Sequence, residues 1–379
     1  MIPTEEELRH LIALRSAPGI GDQLLKTLVE HFGSAEELFR IPRGRLLRVP
    51  GIGPRTATAI QSITDLLKQA DRELKLAQER QTRILPWTDP AYPRRLHQIH
   101  DAPAILYRRG PAHLDHPRLI GIVGTRRITH YGRRVVEEFV EELAALDCIV
   151  VSGLAYGVDI QAHRQALQRG MTTVAVMGSG ADVIYPADHR ETALEMLQLG
   201  ALLSELPMGT RPESHHFPAR NRIIAGLCDA LLVIEAASTG GALITAALAD
   251  SYHRDVFAVP GNIHEPYSCG CNQLIRSNLA TMVTTGQELT DALNWNQPLL
   301  APDPTTIPTP TAHDSEPGLS LNSSRIWKAF DGHHSLPLEQ IRFITSLPHG
   351  ELAAGLLDLE LLSMIEPTPG NCYRVIRRR

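Results

Sequence analysis

From Leu119 to about Leu293, short apolar runs alternate with longer stretches of helical period. Runs of strand length fall at Leu119–Val123, Cys148–Val151, Thr173–Met177, Ala201–Leu203, Ala230–Ile234, Val256–Val259 and Thr281–Thr284. Most are separated by segments long enough for a crossover helix, such as Arg133–Leu146 and Ile160–Arg169. Strands that are apolar at every position are covered on both faces, and their alternation with helices makes the sheet parallel. The pattern predicts an α/β domain with a doubly wound, Rossmann-like parallel sheet.

The flanks read differently. Residues 1–75 carry helical periodicity and a short repeat, Pro18-Gly19-Ile20-Gly21 recurring as Pro50-Gly51-Ile52-Gly53, each ahead of a helix-like run. A Gly-apolar-Gly turn entering a helix is the hairpin of helix-hairpin-helix modules, whose free N–H groups can hold a backbone phosphate or simply close a small helical fold. Residues 76–117 read as a connector with short strands of its own, since Pro86, Pro90, Pro93, Pro103 and Pro111 forbid long helices. Together 76–295 form the extended Rossmann-like domain. Residues 296–322 hold six prolines between Pro298 and Pro317 and read as a linker. The segment 323–379 predicts three helices and a hairpin around Pro369-Gly370-Asn371, a winged-helix pattern. Its third helix carries Glu351, Asp358 and Glu360 and no Lys or Arg. It is therefore expected to be structural or protein-binding rather than a reader of a major groove. The Arg377-Arg378-Arg379 tail reads as a solvated basic end.

At 379 residues the chain exceeds one ordinary domain, and 43% hydrophobic content suits a soluble globular protein. No apolar run approaches the length of a membrane span, and MIPTEEELRH lacks the positive charge and apolar stretch of a secretion signal. Five scattered cysteines, an odd number, point to a reducing cytoplasm rather than a disulfide scaffold. A net charge of −5 means that nucleic acid, if bound, is bound by local clustering of cations. Only four of the 37 basic residues are lysines, and none lies between Leu76 and Trp327. That gap excludes a P-loop and a Schiff-base lysine from the middle of the chain. Any anion site there uses guanidinium groups or backbone N–H groups.

In an open parallel sheet the ligand sits beyond the carboxyl ends of the strands. Six successive strand ends carry Gly, Ser/Thr or Arg. They are Gly124-Thr125-Arg126 with Thr129; Ser152-Gly153 running to Tyr156 and Asp159; Gly178-Ser179-Gly180 with Tyr185-Pro186; Ser204-Glu205 with the later Phe217-Pro218-Ala219-Arg220-Asn221-Arg222; Thr239-Gly240-Gly241; and Pro260-Gly261-Asn262. This rim would gather N–H donors and guanidinium forks on one side. Other chemistry is poorly served. The chain has neither a Gly-x-Ser-x-Gly elbow nor His-Glu-x-x-His. Cys269-Gly270-Cys271 with His264 lacks the second ligand pair of a zinc site. His215-His216 are expected to be solvated or phosphate-facing rather than metal ligands. Asp159, Glu205 and Glu235 are expected to cap or hold arginines. No catalytic residue, metal or cofactor is expected.

In this order the motifs resemble the DprA/Smf family (DNA-processing protein A). The matching segments are VGTRRITHYG, SGLAYGVDIQAH, GSGADVIYP, SELPMGTRPESHHFPARNRIIAGL, EAASTGGALITAALA and VFAVPGNIHEPYSCGCNQLI, about 170 residues in all. The resemblance implies a non-enzymatic, dimeric, sequence-nonspecific single-stranded DNA-binding protein that protects incoming DNA in natural transformation. It also implies loading of the RecA recombinase, with a further contact to single-stranded-DNA-binding protein. The implied DNA site comprises Gly124, Thr125, Arg126, Thr129, Ser152, Gly153, Tyr156, Phe217, Arg220, Asn221, Arg222, Gly240 and Gly241, with Phe217 as a stacking face. Tyr156 stands where many members carry a basic residue, and Asn278-Leu279 where Gly-Ala is common. The alternative is a nucleotide-processing enzyme of the phosphoribohydrolase (lysine-decarboxylase-like) class. It rests on Thr239-Gly240-Gly241 and needs Glu235 as its carboxylate, but Ala242-Leu243 stand where Gly-Thr would be expected.

Overall fold

The structure is a computed structural model that describes residues 3–61, 63–296, 321–330, 335–345, 347, 349–362, 364–368 and 372–375. It falls into two compact units, Met1–Leu299 and Leu300–Arg379. Residues 297–320 of the predicted linker, the predicted Pro369–Asn371 turn and the Arg377–Arg379 tail lie outside the described residues.

The first unit opens with helices α1 (Glu5–Arg15), α2 (Asp22–Phe32), α3 (Ala35–Arg40), α4 (Arg43–Leu46), α5 (Pro54–Gln61) and α6 (Ile63–Glu79). Thr4 caps α1 by accepting the Glu7 N–H at 3.1 Å, with Glu5, Glu6 and Glu7 filling the positive first turn. The sequence repeat becomes two interlocked turns. A Cβ on Gly19 would meet Thr56 Oγ1 at 2.9 Å, and one on Gly51 would meet Leu24 Cδ1 at 3.5 Å. Thr56 and Leu24 stand three residues after Gly53 and Gly21, so each turn packs on the start of the other turn's helix. Helix α6 continues its apolar spacing through Leu74 and Ala77 and runs past residue 75, where the sequence reading placed a domain boundary.

A nine-stranded sheet follows, in the order β1-β2-β6-β5-β4-β3-β7-β8-β9. The connector supplies β1 (Thr82–Pro86), α7 (Arg94–His97) and β2 (Ile105–Arg109), and both strands join the sheet antiparallel beside β6. The other strands are β3 (Leu119–Val123), β4 (Ile149–Ser152), β5 (Thr173–Val176), β6 (Ala201–Ser204), β7 (Ala230–Val233), β8 (Asp255–Ala258) and β9 (Thr281–Met282). They pair in parallel, as their apolar runs predict.

Seven helices cover them: α8 (His130–Ala144), α9 (Val158–Gln168), α10 (Arg190–Met196), α11 (His216–Leu227), α12 (Gly241–Ser251), α13 (Cys269–Arg276) and α14 (Gly286–Ala292). Alternation along β3 and β7 sends Val123, Leu231 and Val233 toward α11 and α12. It sends Ile120, Ile122 and Leu232 toward α8 and α9. The sheet is thus wound on both faces. The core of the N-terminal helices runs on to Ile84, Ile105 and Tyr107 of the β1–β2 hairpin. The chain moves outward from β3 through β6, then returns to place β7 on the other side of β3. That reversal puts a crevice beyond the ends of β3 and β7.

The second unit runs α15 (Leu321–Ala329), β10 (Ser335–Pro337), α16 (Leu338–Thr345), α17 (His349–Leu361), β11 (Ile365–Thr368) and β12 (Cys372–Val375). Its three strands pair antiparallel in the order β10-β12-β11, over a core that includes Ile326, Phe330, Ile341 and Leu356. The sequence pattern did not announce β10, a strand of three residues.

Candidate nucleic-acid interface

A cleft of about 820 Å³ opens at the β3/β7 crevice. Its wall from the end of β3 is Val123, Gly124, Thr125, Arg126 and Arg127. The wall after β7 is Ala236, Ala237 and Thr239 to Thr245, except Leu243, and the far side is Tyr185, Phe217, Pro218, Arg220 and Asn221. Helices α11 and α12 both begin here, so two positive helix ends face one space; at α11 the His216 N–H is already given to the Glu213 carbonyl at 3.1 Å and Pro218 has none. Asn221 ties the two starts together by donating from Nδ2 to the Gly241 carbonyl at 3.4 Å.

Arg126 is exposed and extends over Phe217, its guanidinium carbon 5.5 Å from the ring centroid. At that distance cation and ring attract, and the guanidinium keeps its N–H edge for an anion. No described carboxylate comes within ion-pair distance of Arg126 or of its exposed neighbour Arg127. Tyr185, 45% exposed, lies 5.7 Å from Phe217 at an interplanar angle of 37°. Gly178 makes the floor beneath that ring, since a Cβ there would come within 2.7 Å of Phe217 Cδ1. The result is a flat aromatic surface beside two uncompensated cations, with Ile244 adding exposed apolar area.

Arg220 has a different job. It is 4% exposed and donates from Nη1 to the Gly153 carbonyl at 2.7 Å and to the Val176 carbonyl. It therefore closes the ends of β4 and β5 under the cleft. Burial lowers its pKa to about 10, with Asp159 opposing that shift. Burial likewise pushes the Asp159 carboxyl up, against Arg220 and the N–H groups of Gly153 (3.1 Å) and Ala155 (3.4 Å). Gly153 has no room for a side chain, because its Cβ would sit 2.6 Å from Arg220 Nη2.

Of the thirteen sequence-predicted residues, the cleft gathers Gly124, Thr125, Arg126, Phe217, Arg220, Asn221, Gly240 and Gly241. The remaining five are placed elsewhere. Ser152 is fully buried and donates to the Ile122 carbonyl at 2.6 Å, joining β4 to β3. Gly153 lies beneath Arg220. Thr129 caps α8, accepting the Gly132 N–H at 3.1 Å and donating to Glu235 Oε1 at 2.6 Å. Tyr156 is 44% exposed but stands off the cleft, donating its hydroxyl to Asp188 at 2.8 Å and packing on His189. Arg222 faces the other way, held by Glu205 and the Asp101 carbonyl.

The sequence reading singled out neither Arg127 nor Ile244. Arg127 shares the Arg126 loop and is the one readable signal. Glu235, the carboxylate an enzyme would need, is 2% exposed, with both oxygens taken by Thr129. Cys271 is buried, its thiol pushed up to about 12 by that burial, while Cys269 donates to the Pro266 carbonyl. Asn278 takes φ +56°, which explains why Gly suits that position and Asn can replace it.

A doubly wound sheet with a basic, aromatic-floored cleft at its switch point, preceded by tandem helix-hairpin-helix turns, defines a class of DNA-handling proteins. Residues 83–294 match the family described as DNA recombination-mediator protein A, and residues 11–64 match the SAM-like helix-hairpin-helix tandem. The chain belongs to that DNA-processing family. It is 33% identical to Protein Smf of Synechocystis over 97% of this chain and 98% of that one. DNA processing protein A of Streptococcus pneumoniae superimposes with a TM-score of 0.65 at 34% identity, covering 77% of this chain and 98% of its own. DNA processing protein A of Helicobacter pylori, whose structure describes a single-stranded DNA binding mode of that protein, gives 0.52 at 30% identity over 57% and 97%. Among the described residues no helix is long and apolar enough to cross a membrane.

Proposed function

We propose that this chain binds single-stranded DNA in the β3/β7 cleft, without sequence preference and without catalysis. The observation that carries the reading is Arg126 stacked over Phe217 where two helices begin. A strand needs cations for its phosphates and a flat apolar surface for its bases. The cleft offers both side by side, and it offers few fixed side-chain acceptors that would read base edges. The H. pylori relative, with its described single-stranded DNA binding mode, supports the same ligand.

The family's description as a recombination mediator supports a wider role. The protein protects strands entering the cell in natural transformation and helps load RecA recombinase onto them in the cytoplasm, with a contact to single-stranded-DNA-binding protein. A homodimer suits the free sheet edge at β9, where Leu279 and Met282 are 44% and 54% exposed. The C-terminal unit is read as a winged helix joined through a linker at 296–322 and used for structure or protein contact. The phosphoribohydrolase alternative has less support, because Glu235 is buried and fully engaged.

An anisotropy titration of single- and double-stranded oligomers at two salt concentrations tests the reading. Preference for single strands, a log K that falls with log salt by about 0.7 per phosphate contacted, and equal affinity for oligo-dT and mixed sequence are expected. Equal binding of duplex and single strand would defeat it. Base release from a nucleoside monophosphate panel would favour the enzyme instead.

A further inference from the structure

Among the described residues, one group of three brings metal-ligating atoms together: Glu213, His215 and His216, on the loop that enters α11. One donor atom from each lies within 4.8 Å of the other two. His215 Nδ1 and Glu213 Oε2 are 3.5 Å apart. Two ligands bound about 2.1 Å from one tetrahedral zinc ion are about 3.4 Å apart, so this pair already has the spacing of a shared ion. The two imidazole rings stand 4.3 Å apart and tilted by 59°. His216 Nδ1 is buried and has no hydrogen-bond partner. A buried polar atom left unpaired costs about 1–3 kcal/mol, so no hydrogen bond at Nδ1 accounts for where this ring is held. An exposed His–Glu contact by itself contributes little to stability, which leaves the convergence of three donors without a structural reason.

We propose that Glu213, His215 and His216 bind a transition-metal dication of the zinc type on the loop that enters α11. Two imidazoles and one carboxylate are a borderline donor set that suits Zn²⁺ rather than Mg²⁺. Three protein ligands leave a fourth position open. Pro212 and Ser214, which alternate with the ligands, and Phe217, which follows them, all line the cleft. Glu213, His215 and His216 do not themselves line it, so an ion held here stands on the rim loop rather than in the cleft, with its open position left for a non-bridging phosphate oxygen of a strand that runs on past the rim. This last step rests on the strand-binding reading above, whereas the metal site does not. The sequence reading expected a solvated or phosphate-facing role for His215-His216 rather than a metal, and His215 is exposed; a metal site here departs from that reading.

The test uses the full-length protein, stripped with EDTA and titrated with Zn²⁺ by calorimetry, alongside His215→Ala and Glu213→Gln. One saturable site in the parent, weakened at least tenfold in both variants and not filled by Mg²⁺, is expected. Absence of a saturable site, or equal zinc binding by the variants, overturns the proposal. Anisotropy with a mixed-sequence single strand is then run with Zn²⁺ and with EDTA. Affinity should rise several-fold with zinc in the parent and stay unchanged in His215→Ala. Zinc binding that leaves strand affinity unmoved overturns the phosphate step. Failure of the parent to bind single strands even in EDTA defeats the strand-binding reading, with the calorimetric result standing independently.

Discussion

The Arg222 guanidinium lies 3.7 Å from the Asp22 carboxylate while it is bonded to Glu205. Two residues apart on α11, Arg220 and Arg222 point about 200° away from each other, so one arginine floors the cleft and the other fastens α2 to the sheet. The Arg222, Asp22 and Glu205 side chains are 15%, 16% and 9% exposed. Removing one partner of such a buried pair leaves an uncompensated charge and costs about 3–5 kcal/mol. Arg222→Ala should therefore lower the thermal midpoint sharply while the folded fraction keeps its strand affinity within about twofold, an outcome read from thermal melts and from stoichiometric titration of the binding-competent fraction with single-stranded oligomer. Lost binding at an unchanged midpoint would put Arg222 in the interface instead.

Arg126→Ala is expected to behave in the opposite way. The side chain is exposed and its one contact with another element, over Phe217, contributes about 0.5–1 kcal/mol, so the melting temperature should fall only slightly. A charge-assisted bond to phosphate contributes about 1.5–3 kcal/mol, so affinity should fall about tenfold or more, alike for oligo-dT and mixed sequence. The slope of log K against log salt should shrink by about 0.7. Arg126→Lys should recover the slope but only part of the affinity, because an ammonium lacks the planar face that lies on Phe217.

Phe217→Ala should weaken binding by about 1–3 kcal/mol for each base that stacks on the ring, at an unchanged salt slope. Gly178→Ala gives an indirect test of the same surface. The added Cβ would stand 2.7 Å from Phe217 Cδ1 and must push the ring off its floor. Wild-type affinity in Gly178→Ala would show that the ring's position is immaterial to binding.

The parallel strands and the loops that end them were readable because burial on both faces leaves apolar runs and because the switch point is a rule of topology. Where each side chain aims was not. A Gly-Thr-Arg after a strand fixes a place on the rim, yet only packing decides that Arg126 leans outward over Phe217 while Arg220 turns under Gly153. Ser152 reads as a small polar residue at a strand end, and its hydroxyl is consumed by the Ile122 carbonyl. The short strands expected in the connector are β1 and β2, and what its prolines did not reveal is that these strands extend the main sheet beside β6. The prolines are tolerated because Pro86 ends its strand and Pro103 precedes the next, where no ladder N–H is needed.

His163 offers a prediction about stability rather than binding. The side chain is fully buried, its Nδ1 2.7 Å from Thr173 Oγ1. That hydroxyl spends its hydrogen on the Val150 carbonyl at 2.9 Å, so Nδ1 must donate and Nε2 carries the bare lone pair. Nε2 has no partner, and Arg220 and His189 add positive charge nearby. Burial first, then those charges, lower the pKa from 6.5 to about 3. With the folded value below the unfolded one, the ring adds no pH-dependent cost above pH 6.5. Below it, the unfolded chain takes up a proton that the folded chain refuses. Stability should then fall by about 1.4 kcal/mol per pH unit until the folded value is reached, or about 2 kcal/mol between neutral pH and pH 5. Urea unfolding of the parent and of His163→Gln at pH 7 and pH 5 isolates this share, since the other histidines cancel in the comparison. The variant should be less stable at pH 7 yet lose less on acidification. Parallel losses in the two proteins would mean that the ring is already protonated in the fold.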